Sequence, residues 1–86
     1  MEIKILHDIN EKKFYCIIDG IEAHMMYKEI DDNTLDYYHT YVPNELRGQK
    51  IAQKIVNEAI KFALSENKKI IPSCSYVQVY LQRHKE

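Results

Sequence analysis

The second half of the chain contains one run of apolar residues at helical spacing, directly after a short basic loop. The spacing predicts a helix over residues 48–66, with one apolar face made of Ile51, Ala52, Ile55, Val56, Ala59, Ile60 and Ala63. Residues 34–42, rich in Thr, Tyr and Val, favour a strand that ends at Pro43. This arrangement favours phosphate binding, because the first N–H groups of a helix lack internal partners and lie at the positive end of its dipole.

The rest of the sequence predicts a sheet around this helix. Asp19-Gly20 is typical of a two-residue hairpin turn, and Asn67 is placed to end the long helix. The order ββββαβα indicates the α+β class, with a single-layer, mostly antiparallel sheet and two helices. In addition to 34–42, strands are expected at residues 2–8, 13–19, 21–30 and 69–72.

Two finer expectations concern side-chain directions. Alternation along the fourth strand should place one set of residues on one face and the next set on the other: Leu35, Tyr37, His39 and Tyr41, against Asp36, Tyr38, Thr40 and Val42. The last helix should have Ser73 or Ser75 as its N-cap and turn Tyr76, Val77, Tyr80 and Leu81 toward the core. The fourth and fifth strands, joined through the long helix, should be locally parallel.

Size and charge exclude several classes of function. A chain of 86 residues is expected to form one domain, residues 1–86. Its net charge of −1, without a basic stripe, argues against a nucleic-acid-binding protein. No apolar stretch approaches the roughly 20 residues that span a bilayer, so no membrane partner is expected. Cys16 and Cys74 do not form a disulfide framework, which favours a reducing, cytoplasmic setting.

Three motifs in this order resemble those of the GCN5-related N-acetyltransferases, and in particular a small single-domain branch often called YjdJ-type. They are a His-Thr-x-Val-Pro strand end at residues 39–43, an Arg-Gly-x-Gly-Ile-Ala loop at 47–52, and a Pro-x-Cys-Ser-Phe/Tyr-Val segment at 72–77. The superfamily loop pattern is Arg or Gln, two residues, Gly, one residue, and Gly or Ala. This chain matches it at Arg47 and Ala52, but has Lys50 where the pattern has Gly.

The resemblance implies that acetyl-CoA is the cosubstrate. The backbone amides of residues 47–52 would hold its pyrophosphate, and the end of the fourth strand would pair with the pantetheine amides. The implied cofactor-binding residues are Tyr41, Val42, Arg47, Gly48, Gln49, Lys50, Ile51, Ala52 and Ser75. The alternative is that residues 44–50 form an ordinary polar loop leading into the helix, in which Gly48 relieves backbone strain.

Three residues are candidates for the chemistry. Cys74, at a strand-to-helix turn, suits a nucleophile that relays the acetyl group or a group beside the CoA thiol; the alternative is a small buried residue. His39 suits the base and Tyr80 the proton donor, against structural roles for both. Cys16 is expected in the core. His7, His24 and His84 show no ligand spacing, so no metal is predicted.

The sequence therefore favours an acetyl-CoA-dependent N-acetyltransferase, an acyltransferase acting on an amine. Only Asn10, Glu11 and Lys12 separate the first two strands, so the amine side should be shallow, and a protein or small-molecule amine would fit. The alternatives are a non-catalytic CoA-binding or protein-interaction module, and a scaffold without a ligand. The oligomeric state is left open.

Overall fold

The predicted order of elements is confirmed in a computed structural model that describes residues 3–83. Glu2, in the predicted first strand, and His84 lie outside the described residues. The class is α+β, as predicted. The elements are β1 (Leu6–Asp8), β2 (Lys13–Ile18), β3 (Ile21–Asp31), β4 (Thr34–Tyr41), a short 3-10 helix (Asn44–Leu46), α1 (Ile51–Ser65), β5 (Lys69–Ile71) and α2 (Ser75–Arg83).

The five strands form one sheet in sequence order, β1-β2-β3-β4-β5. The first four are antiparallel, and β4 pairs with β5 in parallel, as the connection through α1 predicts. Asp19 and Gly20 form the β2–β3 turn with φ of 53° and 78°, which confirms the hairpin. Positive φ at both central positions is the condition that makes Asp-Gly favourable there.

Helix α1 starts three residues later than predicted and ends one residue earlier. Gly48 and Lys50 have φ of 86° and 59°, in the left-handed region, so the right-handed helix begins only at Ile51. At the other end, Asn67 takes a φ of 55°. The N–H of Asn67 bonds to the Leu64 carbonyl at 3.1 Å and that of Lys68 to the Ala63 carbonyl at 2.8 Å. These two bonds form a Schellman motif, which satisfies carbonyls at the helix end.

Helix α2 also departs from the prediction. It begins at Ser75, and the Cys74 carbonyl accepts a bond from the Gln78 N–H at 3.0 Å, so Cys74 occupies the N-cap position. The expectation of Ser73 or Ser75 as N-cap was wrong. Val77 is fully buried and Tyr80 and Leu81 pack against the core, but Tyr76 is 50% exposed. Its assignment to the core was also wrong, because it lies on the side of α2 that lines a groove.

A β-bulge in β4 changes the predicted faces of that strand. His39 pairs with Met26 and Tyr37 pairs with Tyr27, so Tyr38 is an extra residue without a partner on β3. The alternation restarts after the bulge. Val42 is therefore buried, and Thr40 half-buried, on the same side as Leu35 and Tyr37, whereas His39 and Tyr41 are exposed on the other side. The expectation that His39 and Tyr41 share a face with Leu35 and Tyr37 was wrong.

The core lies between one face of the sheet and α1, and we call this the covered face. Cys16 is buried there, as expected, and burial raises the pKa of its thiol. Tyr37 is fully buried, and its hydroxyl donates to the Ala59 carbonyl at 2.5 Å. Burial raises the pKa of Tyr37 well above its ordinary value. The hydroxyl therefore stays protonated and ties β4 to α1.

The opposite face of the sheet, which we call the open face, has no helix against it among residues 3–83, because α2 packs against α1. Several large side chains are accordingly exposed on it, including Ile17, Tyr38, Tyr41 and Ile71. Neither described helix is long and apolar enough to cross a membrane.

Candidate functional site

A groove of about 450 Å³ lies between the start of α1 and α2. This volume is within the range of ordinary small-molecule sites, roughly 300–1,000 Å³. Its lining includes Lys50 before α1 and Arg83 on α2, the apolar residues Val56 and Val79, and Tyr80. A site with cations at its rim and apolar walls suits a ligand that has an anionic part and an apolar part.

The loop before α1 exposes backbone donors at this groove. The Lys54 N–H makes the first bond within the helix, to the Lys50 carbonyl at 3.1 Å, and no side chain caps the helix. The N–H groups of the first turn are therefore available to a ligand. Lys50 and Ala52 line the groove as predicted, whereas the Ile51 side chain is 2% exposed and can contribute only its backbone.

The other predicted cofactor residues divide between the loop and the end of β4. Gly48 and Gln49 are exposed in the loop. Arg47 is exposed as well, and its Nε donates to the Val42 carbonyl at 3.2 Å, so the side chain holds the loop against the strand end. Tyr41 lies on the open face, so any contact of β4 with a pantetheine would use backbone there. Ser75 lines the groove at the start of α2.

Cys74 lies where β4 and β5 separate. Strand β5 pairs with β4 only at Thr34, Leu35 and Asp36, and the Cys74 N–H then bonds to the Tyr37 carbonyl at 2.9 Å. The Cys74 thiol donates to Thr40 Oγ1 at 3.1 Å and is 8% exposed. The predicted position at a strand-to-helix turn is confirmed, and we call the place beside β4 where β5 no longer pairs with it the opening.

The three candidate catalytic residues do not contact one another. The Tyr80 hydroxyl lies in the groove and donates to Asn57 Oδ1 at 2.6 Å. His39 is exposed on the open face, with its ring 5.7 Å from that of His24. Cys74 lies on the covered side of β4, where its thiol bonds to Thr40. The structure therefore places one candidate in the groove, one at the opening and one on the open face.

The comparison with known families decides the classification. The family described as GCN5-related N-acetyl-transferase matches residues 13–86. The chain belongs to this family. Its basic-glycine loop and the groove beside it therefore lie in the part of the fold that the match covers. The YjdJ-type branch within the family stays a prediction.

Curated relatives and a solved structure agree with this assignment. The chain is 30% identical over 84 residues to Protein NATD1 of Xenopus tropicalis, covering 95% of this chain and 77% of that protein. It is 29% identical to Protein NATD1 of Mus musculus, covering 95% and 76%. The solution structure of a GCN5-like putative N-acetyltransferase from Staphylococcus aureus matches with a TM-score of 0.72 and 33% identity, covering 93% of this chain and 78% of that one.

Sequence reasoning missed some residues of this groove. Arg83, Gln53 and Val79 line the groove, but none was singled out. The available signal was helical spacing, because Tyr76, Val79 or Tyr80, and Arg83 recur every three or four residues on one side of α2. Among residues 3–83, no three His, Cys, Asp or Glu side chains come together in a way that could hold a metal ion.

Proposed function

We propose that this protein is an N-acetyltransferase that transfers the acetyl group of acetyl-CoA to an amine. The observation that carries the proposal is the groove between the α1 N-terminus and α2, with unpaired first-turn donors and Lys50 and Arg83 on its walls, in a chain of the GCN5-related N-acetyltransferase family. A pyrophosphate at residues 47–52 would receive backbone N–H bonds and the attraction of the helix dipole.

The pantetheine and acetyl group would extend from the groove toward the opening beside β4. Backbone groups of residues 38–41 on the β5 side have no strand partner, since β5 ends at Ile71. An extended amide chain could pair with them in the manner of an added strand. The thioester would then lie near Cys74, whose thiol marks the opening.

Two chemical routes are compatible with this placement. In direct transfer, the amine attacks the thioester carbonyl carbon, and the departing CoA thiolate receives a proton from a donor such as Tyr80. In a relay, the Cys74 thiolate attacks first, releases CoA and holds the acetyl group until the amine takes it. His39 is the residue that the sequence predicts as the base in either route. These three roles are predictions from the sequence.

The alternative is a non-catalytic acetyl-CoA-binding or protein-interaction module. One observation favours it: Lys50 occupies a left-handed backbone position, φ 59°, where the family pattern has glycine. Its Cβ would narrow the approach of a pyrophosphate to the backbone, although its ammonium would attract the same group. Binding without turnover would support this alternative.

Calorimetry with acetyl-CoA tests the binding step. Arg47→Ala should weaken binding about tenfold or more, because a lost charge-assisted contact is worth roughly 1.5–3 kcal/mol. Gly48→Val should also weaken it, with circular dichroism to check that the fold survives at this positive φ. Lys61→Ala, which removes a charge on α1 away from the groove, is the matched control. Unchanged affinity in both loop variants would exclude residues 47–52 as the pyrophosphate site.

Thiol release in the presence of amines tests the chemical step. The wild-type protein should turn over acetyl-CoA continuously only when an amine is present; without an amine, direct transfer releases no CoA and a relay releases at most one CoA per protein. Mass spectrometry after incubation with acetyl-CoA alone distinguishes the routes, since a relay leaves an acetyl group on Cys74. No label on Cys74, together with full activity of Cys74→Ser, would contradict the relay and leave direct transfer.

The shape of the open side limits how deeply the amine can be enclosed, but does not select one kind of amine. With only a short turn between β1 and β2, the amine side is shallow, and a protein terminus, a lysine or a small amine would each fit. The cytoplasmic location and the single domain over residues 1–86 are part of the same proposal.

A further inference from the structure

A cluster of polar and aromatic side chains lies on the open face, outside the groove. One carboxylate oxygen of Glu22 on β3 accepts two hydrogen bonds: its Oε2 is 3.0 Å from His24 Nδ1 and 3.0 Å from Lys13 Nζ. The His24 ring centroid is 5.7 Å from that of His39 and 5.8 Å from that of Tyr41. His24 is therefore fixed by a carboxylate and by two rings of the neighbouring strand.

Glu22 determines which nitrogen of His24 carries the proton. A carboxylate oxygen only accepts hydrogen bonds, so His24 Nδ1 must be the donor. In the neutral ring, Nε2 is then an acceptor, and no side chain of residues 3–83 forms a hydrogen bond with it. An imidazole oriented by a carboxylate, with its second nitrogen free, is the arrangement of a general base. His39 has the ring contact with His24 but no hydrogen bond to a described residue.

The cluster lies at the part of β4 that β5 leaves unpaired. From the covered side, the Cys74 thiol reaches Thr40 Oγ1. The residues on either side of Thr40, His39 and Tyr41, turn to the open face, where they meet His24. The thickness of one strand thus separates the thiol at the opening from the imidazoles. An acetyl group that enters beside β4 would be accessible from both sides.

We propose that His24, oriented by Glu22, is the base that deprotonates the amine substrate, and that the amine binds on the open face. This inference rests on the proposed acetyl transfer. The ammonium form of the amine gives one proton to His24 Nε2. The freed lone pair attacks the thioester carbonyl carbon, an N–C bond forms and the C–S bond breaks. The second proton on nitrogen goes to the CoA thiolate, and His24 returns its proton to solvent.

Several titratable groups face His24. Glu22 holds its ring, and Lys13 on β2 binds the same Glu22 oxygen; this hydrogen bond to Glu22 raises the pKa of Lys13. The other titratable groups that face His24 are Tyr15 of β2, its cross-strand partner, and His39 and Tyr41 of β4. Of these groups, only the Glu22 carboxylate accepts a hydrogen bond from His24, so Glu22 is the residue that positions the ring.

Matched asparagine variants test the assignment. His24→Asn places an amide nitrogen near the Nδ1 position, which can still bond Glu22, but it removes Nε2. It should lower kcat/KM by about 100-fold or more, the usual contribution of a general base, while acetyl-CoA affinity by calorimetry stays unchanged. His39→Asn should lose less than about tenfold. Glu22→Gln should lower kcat while the KM for acetyl-CoA stays unchanged, a split that a merely structural contact would not produce.

The assay uses acetyl-CoA and three amine probes: a short peptide with a free N-terminus, Nα-acetyllysine and spermidine. A His24→Asn variant that keeps the wild-type rate, or a larger loss in His39→Asn, would overturn the assignment and leave the proposed function standing. Wild-type protein that binds acetyl-CoA but acetylates none of the probes would overturn both. Independently of any amine, nitrogen-15 NMR should show His24 protonated at Nδ1, and an Nε2–H tautomer would contradict the proposal.

Discussion

The two faces of the sheet differ in what their side chains do. On the covered face, Phe14, Met25, Leu35 and Tyr37 are buried, and the hydroxyl of Tyr37 has a partner in α1. On the open face, aromatic rings and imidazoles are only half-buried, and Glu22 joins strands β2 and β3 through Lys13. Adjacent residues of one strand thus contribute to opposite faces of the sheet, because side chains alternate along a strand. The covered face stabilises the fold, and the open face is free to carry chemistry.

The largest expected difference between the faces is in stability. Ile55 is fully buried under the covered face, whereas Ile17 is 57% exposed on the open face. Ile55→Ala should reduce the free energy of unfolding by about 2–5 kcal/mol, because it removes buried methyl groups and leaves a cavity. Ile17→Ala should cost less than about 1 kcal/mol, since it loses little buried area.

Urea denaturation of the two alanine variants measures this contrast directly. An equal loss from Ile17→Ala would mean that something covers the open face in solution, such as a second copy of the chain. Repeating the measurement at several protein concentrations separates these explanations, since self-association makes the apparent stability depend on concentration.

Most of the fold could be predicted because its signals are local. The apolar spacing of α1, the Asp19-Gly20 turn and the Asn67 helix end each depend on a few neighbouring residues, and each is confirmed. The bulge at Tyr38 could not be predicted, because an extra residue in β4 is defined only by its register with β3. One unrecognised bulge reversed the faces of all later residues of β4, which is why His39 was misplaced.

The contiguous part of the candidate site could be predicted from the sequence, whereas the contacts between distant segments could not. The loop at residues 47–52 is contiguous, so its placement at a helix N-terminus followed from the sequence. The groove also needs Arg83 from α2, and the His24 cluster needs β2, β3 and β4 side by side. Such residues are distant in sequence and belong to common types, so no pattern connects them without the tertiary structure.

The second prediction concerns strain where α1 begins, above the covered face. Lys50 has a φ of 59° and ψ of 30°, a conformation that costs a non-glycine residue roughly 1–2 kcal/mol. Lys50→Gly relieves this strain but increases the entropy of the unfolded chain, by about 0.4–1 kcal/mol. The net expectation is a gain of up to about 1 kcal/mol in the unfolding free energy of the ligand-free protein.

Lys54→Gly provides the matched control four residues later, at an exposed position inside α1. There the same substitution should destabilise by roughly 1 kcal/mol, because the backbone is already right-handed. Equal losses of unfolding free energy in Lys50→Gly and Lys54→Gly would show that the backbone of Lys50 is not strained. Acetyl-CoA should bind Lys50→Gly equally or more weakly at low salt, since a cation is removed; clearly tighter binding would show that the side chain obstructs the site.

The smallest effect is a pH dependence from His7, an imidazole that belongs to the covered face. Its ring stacks on Phe14 at 4.0 Å between centroids and meets Phe62 edge-on at 4.5 Å, and its Nε2 lies 2.7 Å from the Tyr27 hydroxyl. Burial lowers the pKa of His7 from 6.5, partly offset by the charge of Asp8. The neutral ring is therefore favoured in the folded protein.

The sign of the pH effect follows from this direction. The unfolded chain binds a proton to His7 at higher pH than the folded chain does, so stability is full above about pH 6.5 and falls as the pH drops through the folded pKa. The Asn33 N–H lowers the pKa of Asp31 from 3.8. The contribution of Asp31 to stability is therefore lost only below about pH 3.8, outside the pH range in which His7 acts. Urea midpoints at pH 7.5 and 5 should therefore fall more steeply in the wild type than in His7→Gln, which cannot titrate. An equal fall in urea midpoint for the wild type and His7→Gln would mean that His7 is solvated in the folded protein. The difference between the two faces would then not extend to the β1 edge of the sheet.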